Sequence, residues 1–363
     1  DSSQLVNSVD ESNEKDTKTS ETKTVTDSTT TAVVNNTAEF MSALKNNNIK
    51  SIKLNSDVTL TEFINIRRSI DIYGNNHTLD FSQSRIYSYD TINISFNDVD
   101  LTNGCTDNQG CVYLNGLNNE VIFNNVTFNG PQLLENPNGT AILNGNCKFI
   151  SNSFQEVICS CHIKINNNSN IYVKNTYNPS HEAVYPAFAT SWGTGLGGLT
   201  VGNDVNLTVI TENNSSCLGP ACLAPNQAFF NVGKNSNVIF RNESPQKGDW
   251  RLAAHNITQM NLADTSTLEM TTTHGWATVY SPAKFTWNLN NAHVKLSAND
   301  TYYGVFGGSN GVINFGSSTD LQDVSLWTKG NNLEVPNAVA NDIYGTLNIN
   351  GSSISSANIS NPN

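Results

Sequence analysis

The chain has 363 residues, only 14% of them charged, and its formal net charge is −12 at pH 7. Binding to phosphate requires a basic surface, so this composition argues against nucleic acid as a partner. No run of 18 apolar residues occurs, so no membrane insertion is expected; no secretion or anchoring signal is recognisable either.

Residues 1–32 differ in composition from the rest of the chain. Fourteen of them are Ser or Thr, and ten are Asp, Glu or Lys. A segment with so few apolar side chains cannot bury a core, and we predict that it is disordered. Two interpretations stay open: an ordinary flexible terminus, or the edge of a Ser/Thr-rich stalk on a cell surface.

One helix is predicted, over residues 36–44. Asn36 and Glu39 have the spacing of a capping box, and Phe40 and Leu44 lie on one apolar face. Short apolar segments typical of strands follow. A helix at the end of a stacked sheet would cover the apolar edges of the first rung.

After this helix one phrase recurs about eleven times: apolar, any residue, apolar, a short Asn/Gly/Ser turn, then the same alternation again. Alternation with a period of two indicates strands, and Asn or Gly between them indicates turns. Copies begin roughly 20 to 40 residues apart, a period typical of solenoids. Clear copies occupy residues 70–81, 121–128, 163–173, 199–209, 230–240, 260–270, 287–296, 313–321 and 347–354.

This repeat predicts a solenoid domain at residues 33–358, with a short tail at 359–363. Most asparagines of the turns have a structural explanation, because Asn tolerates left-handed backbone angles and its side chain bonds to nearby backbone. In stacked rungs such amides can also line up into ladders.

Seven cysteines are few for a disulfide scaffold. Two pairs are close enough in sequence to bridge, and whether they do stays open: Cys105 with Cys111, and Cys217 with Cys222. A strand would place Cys159 and Cys161 on one face and His162 on the other, so packing explains these residues better than a shared metal. No metal and no other cofactor is predicted.

The first rungs resemble the opening of pectate-lyase-like right-handed parallel β-helices. The resemblance rests on the segments 39–44 and 52–58 and on residues 70–75, with the turn at Gly74-Asn75. It implies an all-β fold, a right-handed parallel β-helix (β-solenoid) of about eleven rungs with an N-terminal capping helix. It covers roughly residues 33–358, and a fold does not by itself decide a function.

The catalytic patterns of that class are not recognisable in the sequence. Pectate lyases combine calcium-binding acidic residues with an arginine base, and polygalacturonases carry aspartates near a His-Gly element. None of the five arginines stands beside an acidic cluster, and no Asp-Asp pair precedes His274-Gly275 by a rung or two. We interpret Asp98 and Asp100, which share a strand face, as solvated edge residues. No catalytic residue is assigned.

The segment before each phrase predicts which side chains face outward. Apolar residues stand eight positions before four of the phrases, and we predict that they point inward: Leu252, Val279, Val305 and Val339. Neighbours an odd number of positions away then point outward. The predicted outward set is Arg251, Ala253, Trp276, Thr278, Tyr280, Tyr302 and Phe306, with Phe188 and Trp192 on a further rung.

Outward aromatic side chains on stacked rungs predict a carbohydrate-binding strip. Trp and Tyr rings pack on the CH faces of sugars, and Arg and Lys donate to hydroxyls or carboxylates. The alternative is that the loop at residues 176–198 covers these rings as a small second core. The predicted ligand-binding residues are Trp276, Arg251, Tyr280, Tyr302, Phe306, Trp192, Lys247 and Lys284.

A Ser/Thr-rich segment leading into a lyase-like solenoid resembles the binding region of serine-rich repeat adhesins of lactobacilli. The resemblance implies a secreted, wall-anchored module, non-catalytic, that binds host mucin glycans or pectin-like acidic plant polysaccharide. A monomer is expected. Because the chain is acidic, protonation of carboxylates and histidines near about pH 4 to 5 should weaken repulsion and tighten binding to an acidic glycan.

Two other functions stay open. The first is a polysaccharide lyase or glycoside hydrolase of the pectin-active β-helix class with an unrecognised active site. The second is a purely structural spacer on the cell surface, which would bind no glycan.

Overall fold

The computed structural model describes most of the chain from residue 30 onward. The described ranges are 30–107, 109–177, 185–191, 196–212, 215–221, 227–246, 248, 251–301, 305–308, 311–316, 324–329, 347–350 and 359–360. The expected disorder of residues 1–29 lies outside them and stays a prediction. Strand structure begins at Thr31, two residues inside the segment predicted to be disordered.

The predicted capping helix is present as α1, Thr37–Lys45. Asn36 is its N-cap and accepts from the backbone N–H of Glu39 at 2.9 Å, while the Glu39 carboxylate accepts from the backbone N–H of Asn35 at 2.6 Å. The first bond satisfies a donor that the first turn leaves without a helical partner, and the second ties the residue before the N-cap to the helix. The apolar face of α1, including Phe40 and Leu44, is buried against the first strands.

Apart from α1 the regular structure consists of short strands. In chain order they are β1 Thr31–Val34, β2 Ser51–Leu54, β3 Val58–Thr59, β4 Ile64–Asn65, β5 Ile70–Tyr73, β6 Thr78–Asp80, β7 Ile86–Ser88, β8 Asn93–Thr102, β9 Val112–Leu114, β10 Glu120–Gly130, β11 Leu134–Asn144, β12 Asn146–Ser151, β13 Ile158–Ile165, β14 Asn170–Asn175, β15 Phe188–Thr190, β16 Gly197–Val201, β17 Asn206–Thr211, β18 Leu218–Pro220, β19 Ala228–Val232, β20 Asn237–Asn242, β21 Ala254–His255, β22 Ile257–Leu262, β23 Thr267–Thr272, β24 Val279–Ser281, β25 Phe285–Asn290, β26 His293–Asn299, β27 Phe306–Gly308, β28 Gly311–Phe315, β29 Val324–Lys329, β30 Leu347–Asn350 and β31 Ile359–Ser360.

Every pairing between these strands is parallel, and the strands form three ladders that run the length of the solenoid. The first ladder joins β1, β2, β5, β8, β10, β11, β13, β16, β19, β22, β25, β28 and β30. The second joins β3, β6, β8, β10, β12, β14, β17, β20, β23, β26, β29 and β31. The third joins β4, β7, β9, β11, β13, β15, β18, β21, β24 and β27. Each rung contributes to the three ladders, and the long strands β8, β10, β11 and β13 each take part in two of them. This arrangement confirms the predicted β-solenoid.

Asparagine has the two structural roles that the sequence predicts. Asn75, Asn125 and Asn168 lie at corners with φ between 49° and 61°, the left-handed region that Asn tolerates. Other asparagines form amide ladders across the rungs. In one ladder Nδ2 of each residue donates to Oδ1 of the residue one rung below, with distances of 3.2, 2.9 and 3.1 Å for the steps Asn170 to Asn146, Asn206 to Asn170 and Asn237 to Asn206.

The core is a continuous apolar column inside the three ladders. Phe96 and Phe123 occupy paired positions on adjacent rungs, and their rings stack with centroids 5.6 Å apart. Trp287 is fully buried, and its indole N–H donates to the Ile257 carbonyl at 2.8 Å. No helix among the described residues is long and apolar enough to cross a membrane.

Candidate functional site

The third ladder organises the candidate site, because its strands are short and its outward positions are in register. Inward positions hold apolar side chains from Ile64 to Phe306. The outward positions, rung by rung, are Asn65, Tyr87, Tyr113, Glu135, Cys159, Ala189, Gly219, His255, Tyr280 and Gly307. We call this series the outward column. It has aromatic side chains towards both ends and buried side chains between them.

Trp276 and Tyr280 lie near the C-terminal end of the outward column. Their ring centroids are 4.6 Å apart, and both side chains are half-buried. His274, two residues before Trp276, pairs with Asp300 through Nδ1 and Oδ2 at 3.0 Å, and this pair is partly exposed. We call these four residues the tryptophan face. Aromatic rings beside polar groups that donate and accept hydrogen bonds suit a sugar ligand.

Arg251 lies behind this face and not on it. Only 2% of it is exposed, and its guanidinium donates to the hydroxyl of Ser244. A Cβ at Gly275 would lie 1.6 Å from the Arg251 carbonyl oxygen, so glycine permits this close approach of two backbones. The predicted outward exposure of Arg251 is therefore wrong. Lys284 is exposed, in the turn before β25.

Phe306 was predicted to face outward, and this orientation is wrong. Only 4% of it is exposed, and its ring packs on Phe285 and Trp287 with centroids 6.3 and 5.6 Å away. Phe306 pairs with Val279, an inward residue. Phe188 is likewise fully buried at an inward position.

Two other predicted outward positions have small or core-directed side chains. Ala253 and Thr278 are fully buried, and the Thr278 hydroxyl donates to the Ser297 carbonyl at 2.6 Å. The remaining predicted ligand residues, Trp192, Lys247 and Tyr302, lie outside the described part of the chain, as does Val339.

The physical reason for these errors is that the first and third ladders do not keep a constant spacing in sequence. In the first ladder Met260, Trp287 and Ile313 are paired across rungs. In the third ladder the matching inward residues are Ala254, Val279 and Phe306. The number of residues between the two ladders changes from rung to rung, so an alignment on one ladder cannot fix which side chains point outward in the other.

Three tyrosines near the N-terminal end of the outward column escaped the sequence analysis. Tyr87 and Tyr113 are paired across adjacent rungs, and Tyr89 follows Tyr87 on the same face. The Tyr89 ring meets both neighbours edge-on, with centroids 5.9 Å from Tyr87 and 6.3 Å from Tyr113. We call this trio the tyrosine face. The alternation Tyr87-Ser88-Tyr89 followed one rung later by Tyr113 was the available signal, because alternate residues share a strand face.

The centre of the outward column holds a buried pair of carboxyl groups. Glu135 and Glu156 are 8% and 2% exposed, and Gln132 Nε2 donates to both carboxyls, at 2.9 and 3.1 Å. Burial, and secondarily the charge of Glu156, raises the pKa of Glu135 well above its ordinary range; burial raises the pKa of Glu156 to about 7. The pair therefore holds at least one proton near neutral pH.

Paired carboxyls with separated pKa values are the groups that glycoside hydrolysis uses. Here they are enclosed, and the fully buried Cys159 thiol lies against them. Burial raises the pKa of this thiol well above its usual value, and the two carboxylates add to the effect. Glu135, Glu156 and Cys159 bring potential metal ligands within 4.8 Å of one another. All three side chains are at most 8% exposed, so the cluster presents little surface to a polysaccharide in this structure.

A second buried pair joins Ser216 Oγ and His255 Nδ1 at 2.8 Å. Burial lowers the pKa of His255 to about 4, so the imidazole is neutral over most of the pH range. Both side chains are at most 2% exposed. This pair supports the fold from within and is closed to a ligand. Cys105 and Cys111, whose pairing was open, are both free thiols, while Cys222 lies outside the described residues.

The comparisons with known proteins agree with this architecture. Residues 31–135 match a family described as "Putative pectate lyase-like adhesive domain". A solved chain described as "L. reuters 100-23 SRRP", a serine-rich repeat protein, has a TM-score of 0.61 and 19% sequence identity over 88% of this chain and 98% of that one. A second, "L. reuteri 53608 SRRP", has a TM-score of 0.45 and 15% identity, covering 89% and 100% of the two chains. No curated protein matches the sequence.

The fold is therefore a pectate-lyase-like β-solenoid of the kind found in a serine-rich repeat protein. The N-terminal match adds that residues 31–135 are similar to a family described as adhesive. Both findings confirm the resemblance that the sequence suggested.

Proposed function

We propose that this chain is the carbohydrate-binding module of a bacterial surface adhesin, secreted and anchored to the cell wall, and that it acts without catalysis. Its ligands are host mucin glycans or pectin-like acidic polysaccharide. The observation that carries the proposal is the tryptophan face: the tilted ring pair of Trp276 and Tyr280 beside the His274–Asp300 pair, at the C-terminal end of the outward column of an adhesin-like solenoid. The exposed Lys284 supplies a cation for an acidic sugar.

The proposal includes tighter binding of acidic glycans at acid pH. With a net charge of −12 the protein repels a polyanion at neutral pH, and protonation of surface carboxylates and of exposed histidines reduces this repulsion. His255 takes no part above about pH 4, because burial holds its pKa at about that value. Salt screens the same repulsion, so the pH effect is largest in dilute buffer.

A glycan array at pH 4.5 and pH 7 in low salt tests the proposal. We expect mucin-type or polyuronate ligands to be retained, more strongly at the lower pH. Trp276→Ala should weaken binding about tenfold or more, which corresponds to roughly 1.4 kcal/mol. Phe154→Ala is the matched control, because Phe154 is an exposed aromatic residue whose ring centroid lies 6.1 Å from that of Tyr177 and which is not part of the tryptophan face.

A product assay on every retained polysaccharide separates binding from catalysis. New reducing ends or unsaturated products would favour the lyase or hydrolase interpretation. An array that retains nothing at either pH would contradict carbohydrate binding and favour the structural spacer.

A further inference from the structure

The tyrosine face exposes an unusually large aromatic side chain. Tyr89 is 62% exposed, although burial of its ring would be favourable. Among the described residues none forms a hydrogen bond with a hydroxyl group of the trio. Tyr89 thus presents its ring to solvent beside the half-buried rings of Tyr87 and Tyr113, and exposed aromatic clusters commonly mark contact surfaces.

The backbone below the trio is rigid. The inward neighbours Ile86, Ser88 and Val112 are fully or almost fully buried, and the strands β7 and β9 are held by parallel pairing. The edge-on contacts of Tyr89 with Tyr87 and Tyr113 restrict the rings further. A ligand would therefore meet rings that are already oriented, and such preorganisation lowers the entropy that binding costs.

The charges around the trio are balanced. Arg85 is 3% exposed, forms an ion pair with Asp107 and lies over the Phe63 ring at 5.3 Å. At the solvent edge Arg67 and Asp90 are both exposed. Two cations are thus matched by two anions, and Glu135, the outward neighbour of Tyr113, is 8% exposed. In contrast to the net charge of −12 of the whole chain, this local balance gives no net attraction for a polyanion.

The polar groups at the rim suit hydroxyl groups. Asn65 lies one rung below Tyr87 in the outward column and is exposed, and Asn115 is exposed two residues after Tyr113. Amides donate and accept hydrogen bonds in fixed directions. Together with the tyrosine hydroxyls and the Asp90 carboxylate they offer donors and acceptors around apolar ring faces, which is the chemistry of an uncharged sugar.

From these observations we infer that the tyrosine face is a second carbohydrate-binding surface. It is selective for uncharged polysaccharide chains that lie across the adjacent strands β7 and β9. The inference rests on the proposed carbohydrate-binding function and adds a site and a ligand class to it. Tyr113 and Tyr280 are six rung steps apart on the outward column, about 29 Å at about 4.8 Å per step. The intervening column is buried, so the tyrosine face and the tryptophan face are separate sites.

Affinity electrophoresis of the whole chain tests the inference, with gels containing galactan, arabinan or β-glucan as neutral probes and polygalacturonate as the acidic probe, at pH 7. We expect retardation by at least one neutral probe. Tyr89→Ala and Tyr113→Ala should weaken that retardation about tenfold or more, and Tyr89→Phe should retain most of it because the ring face remains. Trp276→Ala and Phe154→Ala should leave it unchanged. Thermal melts verify that each variant is folded.

Each contrary outcome has its own meaning. Neutral retardation that Trp276→Ala abolishes and Tyr89→Ala does not would overturn the inference and leave the proposed function intact. Retardation by polygalacturonate alone would overturn the ligand class. A Tyr89-dependent self-association in sedimentation would identify a protein interface instead. Absence of retardation by every probe, with an empty glycan array, would contradict the proposed function itself.

Discussion

The carboxyl groups of Glu135 and Glu156 share one amide donor, since Gln132 Nε2 lies 2.9 Å from Glu135 Oε2 and 3.1 Å from Glu156 Oε2. One donor cannot compensate two buried negative charges. Burial of the two carboxyl groups costs less when the pair retains a proton. The stability of the solenoid is therefore linked to pH through this cluster.

Because of the buried carboxyl pair, the free energy of unfolding should fall as pH rises. Burial raises the pKa of Glu156 to about 7 from an ordinary value of 4.5, so between these values the folded state binds more protons than the unfolded state. The contribution is therefore fully present below about pH 4.5 and lost as pH rises to about 7. Glu156→Gln should raise the free energy of unfolding at pH 7.5 by more than about 1 kcal/mol, measured by urea unfolding.

The control for this prediction is Glu62→Gln, because Glu62 is exposed and pairs with Lys45 at the surface. It should leave the difference in stability between pH 5 and pH 7.5 unchanged, whereas Glu156→Gln should reduce that difference. An equal reduction in both variants would contradict a role of the buried pair.

His255 should act in the opposite direction. Burial lowers its pKa to about 4 from 6.5, so in this window the unfolded state binds the additional proton and stability is lost as pH falls. His255→Gln, which is neutral throughout, should lose less stability than the parent between pH 6.5 and pH 4. Both proteins should carry Glu156→Gln, so that the carboxyl pair does not mask the effect. The exposed His293, changed to Gln, is the control.

Gly219→Ala should destabilise the fold through His255. A Cβ at Gly219 would lie 2.4 Å from Cε1 and 2.5 Å from Nδ1 of the His255 ring, closer than real contacts allow, and overpacking of this kind typically costs about 1 to 3 kcal/mol. We expect a lower melting temperature. In a double-mutant cycle His255→Ala should relieve most of the loss, with a coupling energy above about 0.5 kcal/mol. Strict additivity would show that the ring is not the obstacle.

Arg68→Lys should loosen the capped end of the solenoid. The Arg68 guanidinium donates to the carbonyls of Leu44 at 2.6 Å, Ala43 at 2.9 Å and Ile49 at 2.9 Å. A lysine ammonium cannot reach three acceptors in this fork geometry. Hydrogen exchange of amides in α1, β1 and β2 should accelerate, while amides of β20 stay protected. Arg67→Lys is the matched control, because Arg67 is the exposed neighbour.

The sequence predicted the solenoid because its signals are local. Alternation within four residues and Asn-rich turns fix strands and corners without knowledge of distant contacts, and α1 follows from the capping box at Asn36. The sequence also predicted the outward orientation of Trp276 and Tyr280, because both lie near Val279, where the assumed register was correct.

The errors came from information that is not local. Phe306 was assigned from its neighbour Val305, but pairing with Val279 turns Phe306 inward. Glu135 and Glu156 are 21 residues apart in the printed sequence, and only the stacking of rungs brings their carboxyls to one amide. The buried Arg251 guanidinium donates to Ser244 and lies close to Gly248, contacts that the alternation of apolar residues does not predict.

The stacking of rungs also has a kinetic consequence. Strands paired in the three ladders are separated by 20 to 36 residues in sequence, as for Thr31 with Ser51 and Asn170 with Asn206. Each rung therefore needs only its predecessor as a template, and contacts of low sequence separation form fast. Helix α1 and Arg68 complete the first rung from residues that are close in sequence. A chain that is synthesised or exported with its N-terminus first can therefore fold this rung first and add the later rungs one at a time as they emerge.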